Sequence, residues 1–304
     1  VAKKKKNQDN LPEGMSRRQA KLAARAAERA KLEKDPRPYG GYAMEADLVA
    51  LQEFVPSAHF AASVEGIAAP VHIVTVLPGA VAGLRRSAED GGECFAALQT
   101  NNRGNNPNRD LAFTLNWLRS AEPGQSLDVG VADGSEPQLR DLLPPETSAE
   151  IAVAQDFNWW LTEAHRENPQ VLATLNQANE SVLPSERVGA QITGAAWWID
   201  PGERGHIRWV HTAEEGALLD ALARVHAAGK LHLGEGSKFA GAFRTHGILV
   251  PVWDVDNTQP AQHWKAGLET VEGLLAAALE EEGQLTGEEH KAKQTIISRE
   301  VTIR

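Results

Sequence analysis

Phe239-Ala240-Gly241-Ala242-Phe243-Arg244-Thr245 and Ile248-Leu249-Val250-Pro251-Val252-Trp253 are separated only by His246-Gly247, and the fold turns on this stretch. Two β-favouring runs joined by two residues that end in Gly predict a tight hairpin, because glycine takes the left-handed conformation such turns require. Working outward, Gln191–Ile199 and His206–His211 read as a second strand pair, joined by Asp200-Pro201-Gly202-Glu203-Arg204-Gly205. Between the pairs, Leu218, Leu219, Leu222 and Val225 form the buried stripe of a helix. It opens at the Thr212–Glu215 capping box and closes at Gly229, a left-handed cap. Gln262–Glu282 predicts a long helix, Thr286-Gly287-Glu288-Glu289 opens a short one, and Thr295–Ile303 reads as a final strand.

Toward the N-terminus, Met44–Val55 is helical by the spacing of Leu48, Leu51 and Val55. Val71–Leu77 and Glu93–Gln99 read as strands, and 108–120 as a helix capped by Asn108. Residues 121–150 carry Pro123, Gly124, Gly130, Gly134, Pro137, Pro144 and Pro145, the composition of a linker, with a short helix around Leu139–Leu143. An aromatic strand at Ile151–Leu161 and a helix over 169–179 follow. Helices and strands mix without strict βαβ alternation, which predicts an α+β fold of antiparallel sheets with packed helices. Each half carries a helix, a strand pair and another helix, so two related halves are an expectation. The divisions are a basic helical arm (1–36), a first α+β half (37–120), a Pro/Gly-rich linker (121–150) and a second α+β half (151–304).

Charge is divided unevenly. The 304 residues carry 31 Lys and Arg against 41 Asp and Glu, a net charge of −10. Residues 1–36 hold eleven basic and five acidic side chains, a net +6, which leaves −16 for the remainder. Ser16-Arg17-Arg18-Gln19 has the spacing of a capping box, and the alanines from Ala20 to Ala30 favour helix. Arg17, Lys21, Arg25 and Arg29 then share one side, whereas Leu22 and Leu32 are the only large apolar groups on the other. Such a helix is marginal on its own. It suits a partner lined with phosphates, where each Lys or Arg contact releases a counterion.

Several strings resemble a known family: Glu45-Ala46-Asp47-Leu48-Val49-Ala50-Leu51, Leu219–Gly229, Leu233-Gly234-Glu235-Gly236 and Val250-Pro251-Val252-Trp253-Asp254. The chain from about residue 37 to 304 is similar to an actinobacterial family catalogued as domain of unknown function 5926. The resemblance implies a cytoplasmic protein and carries no catalytic residue, cofactor or activity.

Composition and motifs exclude several chemistries. No run approaches the roughly 20 apolar residues of a membrane span. The single Cys94 rules out an internal disulfide framework and a cysteine zinc site. Gly229-Lys230 fails as a phosphate loop because Arg224 and Leu231 stand at required positions, and Phe239 replaces the third glycine of a dinucleotide fingerprint. No His-Glu-x-x-His and no Gly-x-Ser-x-Gly occurs, so no metal and no cofactor are expected. The start Val1–Lys6 leads into polar Asn7–Asn10 rather than an apolar core, which places the expectation in the cytoplasm.

The favoured reading is a binding protein, not an enzyme. Its contact with ribosomal RNA or another nucleic acid runs through Lys3, Lys4, Lys5, Lys6, Arg17, Arg18, Lys21, Arg25 and Arg29. Two alternatives stand beside it. One is a small-molecule enzyme with a pocket near Glu235, Arg244, His246 and Asp254, catalytic candidates on or beside the hairpin. The other is a protein-interaction module that exposes some of the tryptophans Trp159, Trp160, Trp197, Trp198, Trp209 and Trp253, all expected on strands.

Overall fold

The computed structural model describes Leu22 and residues 33–299. The predicted basic helix and the nine cationic candidates Lys3 to Arg29 therefore lie outside the described residues.

The first sheet has six strands: β1 (Ala58–Ala62), β2 (Val71–Val74), β3 (Gly83–Arg85), β4 (Cys94–Ala97), β5 (Ser126–Leu127) and β6 (Ala152–Val153). Their order is β5-β3-β4-β2-β1-β6, and β2 and β4 run parallel while the other neighbours are antiparallel. The second sheet holds β7 (Ser185–Val188), β8 (Ala195–Ile199), β9 (Gly205–Val210), β10 (Ser237–Thr245) and β11 (Ile248–Val255). Its order is β10-β11-β9-β8-β7, antiparallel throughout. The fold is α+β. The strand orders β1-β2-β4-β3 and β8-β9-β11-β10 correspond in the two halves, but the final pair runs in opposite directions relative to its neighbour.

The helices are α1 (Glu45–Glu53), α2 (Pro107–Leu118), α3 (Leu139–Leu142), α4 (Glu163–Arg166), α5 (Pro169–Asn179), α6 (Glu215–Ala227), α7 (Lys265–Leu279) and α8 (Gly287–Ser298). On one face of the second sheet, Trp209 and Trp253 pack with Leu218 and Leu222 of α6, Val271 and Leu275 of α7, and Ile296 of α8. On the other face, Trp197, Phe243 and Val250 meet Leu48 and Leu51 of α1, and the same core runs on to Phe60 and Ile73 of the first sheet. Helix α1 is thus shared by both halves. Its spacing alone suggests one apolar stripe, yet Val49 and Ala50 are buried as well, and Glu45 and Gln52 with them. A helix apolar on most sides belongs inside.

The hairpin forms as its sequence predicts. His246 and Gly247 have φ of 49° and 72°, so both turn residues are left-handed, the geometry that matches the twist of antiparallel strands. Gly229 likewise closes α6 with φ of 71°. Adjacent Trp197 and Trp198 point to opposite faces of β8, the first fully buried and the second half-buried.

Elsewhere the structure corrects the reading. The aromatic run 151–161 contributes only the two residues of β6. Asp156 then accepts hydrogen bonds from the backbone and side-chain nitrogens of Asn158 (2.9 and 2.6 Å), a turn that ends the strand. Trp159 and Trp160 lie in the following 3-10 turn. Thr295–Ser298 is helical, because the Thr286–Glu289 capping box launches α8 and Ile296 is buried against its neighbours. The cap of α2 is Asn106 and that of α6 is Glu214, whose carboxylate accepts from the Ala217 amide at 2.8 Å. The strand expected from Gln191 begins only at Ala195. Before it, the amides of Gly189, Gln191 and Thr193 donate to Gln262 in the 3-10 turn before α7 and to Glu269 and Glu272 of α7 (3.1, 2.9 and 3.0 Å), not to a neighbouring strand.

Residues 121–150 run as a strap over the first sheet. Within them β5 pairs with β3, and Glu136, with only 1% of its side chain exposed, accepts from Arg109 Nε at 2.7 Å. The Pro145 and Leu142 carbonyls accept from Ala43 and Glu65 (2.8 and 2.9 Å). Proline and glycine here shape a path that follows the surface.

Candidate functional site

Residues 33–37, where the basic segment passes into the body, are bonded to it. Asn106 accepts from the Asp35 amide (2.6 Å) and donates to the Glu33 carbonyl (2.8 Å), while Asn108 donates to the Asp35 carboxylate (3.1 Å). Arg37 grips Glu45 through two hydrogen bonds (2.6 and 2.8 Å) and also donates to the Thr212 carbonyl (2.7 Å). Those carboxylate contacts raise the Arg37 pKa above its ordinary value. Residues 33–36, counted with the arm by charge, are therefore held by the body.

The tip of the hairpin closes over this root. A Cβ on Gly247 would stand 2.1 Å from the Pro36 carbonyl oxygen, far inside contact distance, so only glycine lets the two backbones approach. Beneath the tip, buried Tyr39 donates to Gln52 (2.6 Å), and burial pushes its phenol pKa well up. A cleft of about 670 Å³ opens between root and tip, lined by Lys34, Asp35, Glu53, Arg103, Arg244 and His246 among others. Glu53, at the end of α1, accepts from His246 (2.8 Å) and from Arg103 (3.4 Å). On the cleft wall Asp110 accepts from the amides of Gly104 (2.7 Å) and Ala132 (2.9 Å), and burial raises its pKa.

The structure separates the four catalytic candidates. Arg244 and His246 are at the hairpin tip, where Arg244 pairs with Glu215 at 2.6 Å. Asp254 faces Lys238 at the other end, some 20 Å away along the strand. It lies 3.1 Å from both Arg204 and His206. Burial lowers the His206 pKa against the opposing pull of Asp254. Glu235 is exposed in the turn before β10. No shared pocket brings the four together. Among the described residues there is no group of three His, Cys, Asp or Glu able to hold a metal ion. Cys94 is buried in β4, and burial raises its thiol pKa.

The tryptophans also differ from the interaction-module reading. Trp197, Trp209, Trp253 and Trp264 are fully buried, and the other four are half-buried. None is left exposed to anchor a partner. Among the described residues no helix is long and apolar enough to cross a membrane. Sequence reasoning missed Lys34, Asp35, Glu53, Arg103 and Asn106, which the fold gathers at the root from distant parts of the chain. The one local sign was Asp35-Pro36-Arg37-Pro38, whose prolines fix the backbone where the body begins.

No curated protein and no solved structure matches this chain. The chain belongs to the family of unknown function DUF5926, whose family model matches residues 38–304.

Proposed function

We propose that the chain is a cytoplasmic, non-catalytic binding protein whose basic N-terminal arm contacts ribosomal RNA or another nucleic acid. The observation that carries this reading is the segregation of charge, +6 in residues 1–36 against −16 in the rest. A uniformly acidic chain is repelled by polyanions; one with its cations gathered at one end is drawn in by that end while the body is held off. The root supports the reading, since residues 33–36 are held by the body next to the basic segment. The scatter of Glu235, Arg244, His246 and Asp254 speaks against a catalytic pocket at the hairpin.

The test is binding of the full chain to ribosomes and to a labelled ribosomal RNA hairpin over a range of salt. Affinity is expected to fall steeply, with a logarithmic slope of about −0.9 per duplex phosphate or −0.7 per single-strand phosphate neutralised. Removing residues 1–32, which spares the anchored root, abolishes binding and leaves the unfolding transition in place. Retained binding without those residues overturns the proposal.

A further inference from the structure

A second concavity, distinct from the cleft at the arm root, is lined by uncharged residues. A cavity of about 630 Å³ opens between the chain leaving β2, the Phe157–Trp160 turn and helix α5. Its apolar wall includes Leu77, Pro78, Trp160, Val171, Leu175 and Ala178. Among the described residues no lining side chain carries a charge, although 24% of the chain is Asp, Glu, Lys or Arg. The polar groups present are amides and hydroxyls; Gln170 lies exposed at the edge, and the others are engaged within the fold. Gln99 donates to the Leu51 and Val55 carbonyls, Asn168 caps α5, and Thr174 and Ser181 donate to the Gln170 and Ala178 carbonyls.

Position and backbone add to the composition. One side of the wall is built from residues 76–80 and Gln99, which follow β2 and β4, the parallel pair, and crevices beyond the carboxyl ends of parallel strands are where open sheets bind ligands. At the lip, Ala80 has φ of 51°, a left-handed conformation unusual for alanine, held by its amide's bond to the Leu77 carbonyl (2.8 Å). Strained residues of this kind gather at ligand clamps. The volume falls within the range of small-molecule sites, which are mostly apolar with few polar groups.

We infer that this cavity binds a neutral, predominantly hydrocarbon small molecule. An anionic lipid or nucleotide finds no cation among the described residues of the wall to meet it. The nearby Arg86 is occupied by Glu93 (3.0 Å) and the Trp160 carbonyl. A concavity of about 630 Å³ has the size of a small-molecule site, not of a folded partner.

The experiment titrates the full chain with N-phenyl-1-naphthylamine, a neutral fluorophore, and with 1-anilinonaphthalene-8-sulfonate, a near-isosteric anion. The neutral probe is expected to bind saturably at one site, at least tenfold more tightly than the sulfonate. Ala178→Trp, which fills the cavity, and Val171→Asp, which places a charge on its half-exposed wall, each weaken the neutral probe at least tenfold. If Ala178→Trp unfolds, Val171→Asp decides. Removal of residues 1–32 leaves probe binding unchanged, which separates this site from the arm. Absent saturation, equal affinity for the two probes, or full binding by Val171→Asp overturns the inference.

Discussion

Gly247 is where a single missing side chain holds two distant parts of the chain together. Its φ of 72° is strained for any residue with a Cβ, and the space that atom would fill is held by the Pro36 carbonyl. Gly247→Ala combines both penalties. Left-handed backbone at a residue with a Cβ costs about 1–3 kcal/mol, and the backbone collision adds to it. The expected outcome is a loss of at least about 2 kcal/mol in urea unfolding, with faster amide exchange at residues 33–37. A control at Gly41, also left-handed but with open space around its missing Cβ, isolates the conformational part. The turn was legible in the sequence because two-residue hairpin turns are decided by local chemistry. The clamp on Pro36 was not, because nothing at position 36 announces a partner more than 200 residues away.

Among the elements, α1 shows most clearly what spacing leaves out. Leu48 and Leu51 are fully buried between the two sheets, and Glu45, Gln52 and Glu53 at its ends bond to Arg37, Tyr39 and His246. The periodicity identified the helix and one face; that the other faces are also covered depends on the second sheet, which follows it by more than 130 residues. Leu48→Ala leaves a cavity in a core shared by both halves and is expected to cost about 2–5 kcal/mol. If the halves fold as one cooperative unit, near- and far-ultraviolet circular dichroism will show a single, coincident transition at lower urea in this variant. Two separated transitions would mean that α1 belongs to one half only. The strand misread at 151–161 has the same origin. Aromatic content favours β structure, but the Asp156–Asn158 turn and the Trp159 donation to Ser57 (3.0 Å) redirect the chain. At 295–298 the run Thr295-Ile296-Ile297 favours a strand locally, and burial of Ile296 against the α6–α7 layer prevails.

At the scale of the whole molecule, two half-buried histidines set how stability responds to mild acid. His59 lies tilted against Trp159 at 4.6 Å between ring centres, with the His72 ring 6.2 Å away; burial and then His72 lower its pKa. His206 is lowered mainly by burial, with Arg208 and Arg204 adding repulsion and Asp254 opposing. Each therefore takes up a proton more readily when unfolded than when folded. Their contribution is complete above the ordinary histidine value near 6.5, where both states are neutral, and is lost as pH falls through that value toward the lower folded pKa. Carboxylates such as Glu272, where burial pushes the pKa up but the His211 ring 3.7 Å away and hydrogen bonds from Thr193 bring it down overall, lose their contribution only at more acidic pH, below the usual range near 4.5. The expected melting temperature is level from pH 8 to about 7 and falls by a few degrees between about pH 6.5 and 5. His59→Gln and His206→Asn, singly and together, reduce that slope even where they lower the plateau, since neither replacement titrates in this window. Removal of residues 1–32 leaves the slope as it is, because both histidines lie in the body. A melting curve equally steep in the double variant would assign the acid sensitivity to other groups.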